Sequence, residues 1–89
     1  MLSLSAVVTH AQALVAAREL KAQVASQVGG VLLDVSALTQ FDSSALAVML
    51  ACRREAMAEG KSFAVQGSPL KLGQLASLYG VAELIPQAP

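Results

Sequence analysis

Val31-Leu32-Leu33-Asp34-Val35-Ser36-Ala37-Leu38-Thr39-Gln40-Phe41-Asp42-Ser43-Ser44-Ala45-Leu46 is the stretch on which the reading of this chain turns. It opens, after Gly29-Gly30, on a short apolar and partly β-branched run, Val31 to Val35, which reads as a central strand buried on both faces. Ser36 to Asp42 reads as a loop. From Ser43 a run of good helix formers continues to Glu59, and Gly60 follows in the position that ends helices. Leu46, Met49, Leu50, Arg53 and Met57 share one side of that helix by 3-4 spacing, with the arginine covering apolar surface through its stem.

Upstream, Thr9-His10-Ala11-Gln12 fits a capping box and opens a helix over about 11–27. Leu14, Ala17 and Val24 lie near one stripe of it, and Gly29-Gly30 stops it. Before it, Leu2, Leu4 and Ala6 alternate with Ser3 and Ser5, the pattern of a short strand. Downstream, Phe63 and Val65 alternate within Ser62 to Gln66, another strand. Ser68 as N-cap and Pro69 at the first position open a third helix, which Gly80 ends. Val81 to Ile85 reads as a brief final strand and 86–89 as a frayed tail. Strands alternating with helices define an α/β domain. The expectation is one small domain over 1–89, with a mixed sheet of about four strands and three main helices.

Composition narrows what such a domain does. The 6 Lys and Arg balance the 6 Asp and Glu. A nucleic-acid binder or a polybasic membrane-surface module needs a cationic excess. Apolar residues make up 55% and charged residues 13%, with a mean hydropathy of +0.60. That is too apolar for disorder, and it leaves apolar surface for a partner to cover. The longest unbroken apolar run, Ala45 to Cys52, is eight residues, against roughly 20 for a membrane span. No Lys or Arg precedes Arg18, so the N-terminus lacks the pattern of a signal peptide. A single cysteine, Cys52, makes no internal disulfide and fits a reducing cytoplasm.

The residues that carry chemistry are few. One His and one Cys, 42 positions apart, do not make a metal centre. Cys52, in mid-helix, reads as a small apolar filler rather than a reactive thiol. Ser43, His10 and Asp34 or Asp42 can be written as a triad, but no G-x-S-x-G elbow surrounds Ser43. Gly60-Lys61-Ser62 imitates the end of a phosphate-binding loop. Glu55 stands where that loop needs Gly, and a strand follows where it needs a helix. This segment reads instead as a helix end with an exposed lysine. No catalytic residue, metal or cofactor is expected. What remains is Asp42-Ser43-Ser44, at the start of the best helix. Capping explains one of these three residues. They follow a central strand, where α/β sheets meet ligands and partners, and a helix start favours an anion such as a phosphate on Ser43.

Val31 to Leu38 followed by Phe41-Asp42-Ser43-Ser44-Ala45-Leu46 resembles the core of a STAS domain, the fold of anti-sigma-factor antagonists and sulfate-transporter tails. There an apolar strand ending in Asp leads through a short loop to Asp-Ser-Ser-Gly-Leu opening a helix. Phe63-Ala64-Val65-Gln66-Gly67, Leu75-Ala76-Ser77-Leu78-Tyr79-Gly80-Val81 and Leu84-Ile85-Pro86 resemble the MlaB-like branch, so the likeness runs over about 2–86. That branch implies a non-catalytic subunit of an Mla-type ABC transporter, which binds the ATPase in a complex with permease and substrate-binding subunits. It implies support of phospholipid trafficking and outer-membrane lipid asymmetry in a Gram-negative cell, from the cytoplasmic side of the inner membrane. By the same resemblance Asp42, Ser43 and Ser44, with Ala47, Cys52 and Arg54 along the helix, would meet the ATPase. The other branch implies an anti-sigma factor antagonist switched by phosphorylation of Ser43. The family's Gly after Ser-Ser is Ala45 here, and the usual N-terminal strand pair is shortened, with Leu4 to Thr9 matching its second strand. A missing edge strand leaves surface for a partner, or for a homodimer in isolation.

Overall fold

The computed structural model describes residues 1–88. Strands β1 (Leu2–Ser3) and β2 (Val7–Val8) precede helix α1 (His10–Val24), followed by β3 (Gly30–Asp34), β4 (Gln40–Phe41) and α2 (Ser43–Ala58). Strand β5 (Ser62–Gln66), α3 (Leu70–Leu78) and a 3-10 turn (Ala82–Leu84) complete the chain. The fold is α/β with three helices, as the alternation implies. Among the described strands every pairing is parallel: one sheet runs β1-β3-β5 and a two-stranded ladder joins β2 to β4. The expected mixed sheet is corrected on this point. The paired strands are joined by crossovers through α1 and α2, which return the chain to run in the same direction.

The two ladders are nearly continuous. Leu4 N–H donates to the Asp34 carbonyl at 3.0 Å, and Thr39 and Gln40 N–H donate to the Ala6 carbonyl at 2.8 and 3.0 Å. Residues 2–8 therefore run as one bent strand beside 30–41, so the loop expected from Ser36 to Asp42 contains β4. At the far edge the tail is tied down rather than frayed. Val65 N–H donates to the Pro86 carbonyl at 2.8 Å, and Ala88 N–H donates to the Val65 carbonyl at 2.7 Å. Pro89, the last residue of that tail, lies outside the described residues. Val81 to Ile85 forms the 3-10 turn in place of a strand, because Ile85 turns into the core while Ala82 and Leu84 stay outside.

Strand β3 alternates rather than hiding both faces. Val31, Leu33 and Val35 are buried, while Gly30, Leu32 and Asp34 are only partly covered. The buried set joins Phe63 and Val65 of β5 with the inward sides of the three helices in one core. The helices thus cover one face of the sheet, and the other faces out with period 2.

Helix α1 starts at the capping box, where Gln12 Oε1 accepts from the Thr9 N–H at 3.0 Å and from its hydroxyl at 2.6 Å. It buries Leu20 and Val24, with Ala13, Ala16 and Ala17 packed against the core, while Leu14, expected inside, is 62% exposed. The alanines let α1 and α2 approach closely, and that sets the inward stripe one residue away from Leu14. The helix ends at Val24, short of Gly29, because Lys61 caps it. The Lys61 Nζ donates to the Val24 and Ala25 carbonyls at 2.7 and 3.3 Å and pairs with Glu59 at 3.2 Å. This lysine is therefore not the exposed residue expected.

In α2 the inward face is Ala45, Leu46, Val48, Met49, Cys52 and Ala56, and Met57, expected inside, is exposed. Helix α3 begins at Leu70 with Pro69 at its cap position, and the Ser68 hydroxyl, expected as the cap, makes no bond to it. Among the described residues no helix is long and apolar enough to cross a membrane.

Candidate partner-binding site

Strand β4 delivers the chain into Asp42, whose extended backbone and carboxylate make it the N-cap of α2. Oδ1 accepts from the Ser44 N–H at 2.8 Å. Oδ2 accepts from the His10 N–H at 3.2 Å, at the start of α1. These bonds to the ionised form, the Ser44 amide first and the His10 amide and charge after it, hold the Asp42 carboxyl below its ordinary value. Asp34, at the end of β3, is lowered in the same way by the Ser36 N–H, which donates to its Oδ1 at 2.9 Å.

Ser43 is the first residue of α2 and is exposed, as is Asp42; Ser44 is partly covered and Ala45 is fully buried. The methyl that replaces the family's glycine thus belongs to the core, not to the surface. At 100° per residue Ala47 and Arg54 fall within about 40° of Ser43 around the helix, and both are exposed. These three form one outward stripe. Cys52 does not belong to it. It lies about 180° from Ser43, is 2% exposed, and burial pushes its thiol up to about 11. It is core, and its placement on the docking face is corrected.

Two residues of this region were not legible as such. Leu50, which the 3-4 spacing groups with Leu46 and Met49, falls within about 20° of Ser43 and is only partly covered, so the spacing 43-47-50-54 includes it. His10 comes to the site through the pairing of Val8 with Phe41, which no local pattern announces. Elsewhere Val28, Leu70, Leu78 and Tyr79 are large apolar side chains left exposed.

A parallel sheet with helices on one face, and an Asp-capped helix offering two serines at the end of a strand, define a STAS domain. The comparison with protein families agrees: the family described as "Mlab, STAS domain" matches residues 1–86. The chain belongs to this family, the MlaB type of STAS domain. A search of the curated proteins found no match.

Proposed function

We propose that this domain is a non-catalytic subunit that docks on the ATPase of an Mla-type phospholipid ABC transporter, at the cytoplasmic side of the inner membrane. What carries the reading is the open stripe Ser43, Ala47 and Arg54 on the helix that Asp42-Ser43-Ser44 opens, in a chain of the MlaB family. Small residues admit a close partner, hydroxyls give directed hydrogen bonds, and an arginine anchors a rim. The domain then supports assembly or activity of the transporter and does no chemistry of its own. Affinity purification of the tagged chain from its host, with mass spectrometry of the bound proteins, tests this. Recovery of an ABC ATPase with its permease supports it; their absence from the bound fraction rejects it.

A second reading, an anti-sigma factor antagonist, is favoured by one observation: the Ser43 side chain is exposed at a helix start, open to a kinase. A sigma-regulating protein or serine kinase in the same bound fraction, with a single phosphate on Ser43, would move the assignment there.

A further inference from the structure

We propose that Asp42 is a positioning residue that couples the first turn of α1 to the docking end of α2, so that a partner seated on Ser43 also orders α1; this rests on the docking reading above. Strands β2 and β4 run parallel with Val8 opposite Phe41, and each leads directly into a helix. The two helix starts therefore lie side by side, and the Asp42 carboxylate spans them, one oxygen to Ser44 N–H at 2.8 Å and the other to His10 N–H at 3.2 Å. Capping α2 needs one acceptor, which Asn, Ser or Thr supplies as well. In α1 the Thr9 and Gln12 pair satisfies the Thr9 amide and hydroxyl, and the His10 N–H, the first amide of the helix, is left for Asp42. The second carboxylate oxygen is thus not needed to cap α2, and by taking an amide of α1 it links the two helix starts. The link is charge-assisted, and Asp42 and His10 are both exposed, beside Ser43. A partner that covers this end removes water from the carboxylate and strengthens both bonds. Binding at Ser43 is thereby passed to His10 across 32 residues of sequence.

Amide hydrogen exchange on the full chain tests this, free and with the ATPase recovered by affinity purification. Asp42→Ser and Asp42→Asn each keep an oxygen for Ser44 and give up the second acceptor. In the free chain His10 N–H is expected to exchange roughly tenfold faster in both variants, with Ser44 N–H protected as before. On binding, protection spreads to residues 10–13 in the unaltered chain and stops within α2 in the variants. Equal His10 exchange in all three chains overturns the proposal. So does a partner that protects 44–46 of the unaltered chain and leaves 10–13 unchanged. If the unaltered chain takes up no ATPase, the docking reading falls, while the free-chain exchange still decides the link.

Discussion

The Lys61 ammonium donates to the Val24 carbonyl at 2.7 Å, 37 residues away in sequence, at the point where α1 ends. A cation at a helix C-terminus meets the negative end of the dipole and satisfies carbonyls that have no partner inside the helix. Here it also fixes the start of β5 to the end of α1, while Glu59 holds the same ammonium at 3.2 Å. Lys61→Met keeps the apolar stem and removes these bonds. It is expected to cost about 1 kcal/mol, read by chemical denaturation, and to speed amide exchange in the last turn of α1. An unchanged midpoint with unchanged exchange would show the contact to be incidental.

The docking stripe makes a position-specific prediction. Ala47→Arg places a bulky cation on the exposed face of α2 and should abolish co-purification of the ATPase. Stability should change by no more than about 0.5 kcal/mol, as at other surface sites. Ser43→Arg should do the same. Undiminished recovery with either variant would remove this face from the interface.

Cys52 provides the internal contrast. Its thiol is buried and raised to about 11, so a neutral-pH thiol reagent should leave the folded chain unmodified and react fully in denaturant. Cys52→Ala should keep partner recovery and lose about 1 kcal/mol of stability through the small cavity it leaves. Fast labelling of the native chain would contradict this burial.

Acid should loosen the domain through Asp34 and Asp42. Both carboxyls are lowered by hydrogen bonds to their ionised forms. A depressed folded value contributes stability that is present above the unfolded value, about 3.9. That contribution is lost as the pH falls through the lower folded value. Thermal midpoints from pH 6 to pH 3 should therefore decline, and decline less steeply in Asp42→Asn. Parallel slopes in the two chains would reject this role for Asp42.

Gly67 and Gly60 both have positive φ, +74° and +71°, but their surroundings differ. A Cβ at Gly67 would lie 2.6 Å from the Ser36 Cβ, whereas one at Gly60 meets nothing within 4 Å. Gly60→Ala should cost about 1–2 kcal/mol, from backbone strain alone. Gly67→Ala should cost at least about 1 kcal/mol more, because the β5 turn and the loop after β3 must part. Equal losses in urea unfolding would mean that this contact relaxes freely.

The sequence carried the elements whose signals are local. The Thr9 and Gln12 box, a cap within Asp42-Ser43-Ser44 and the alternation of Phe63 and Val65 each act within a few residues; the structure has the box and the alternation where the pattern puts them and gives the cap to Asp42. What escaped depends on partners far away in the chain. Leu14 is outside because the packed alanines of α1, not its longest side chains, face α2. Lys61 is half-buried because its ammonium caps the end of α1. The tail is ordered because β5 has an unpaired edge to offer. At the site the same division holds. The stripe through Ser43, Ala47 and Arg54 follows from helical periodicity, which also excludes Cys52 and admits Leu50. The meeting of His10 with Asp42 follows only from the register of two short strands.

The tail beside β5 has a consequence for how the protein behaves in concentrated solution. The Pro86 carbonyl takes the amide of Val65 and the Ala88 N–H takes its carbonyl, both of which would otherwise face solvent. An open strand of that kind is a template on which other chains add, edge to edge. Residues 86–88 thus act as a guard against self-adhesion. A chain cut back to Ile85 would keep its core residues and be expected to lose solubility first, clouding at concentrations where the full chain stays clear.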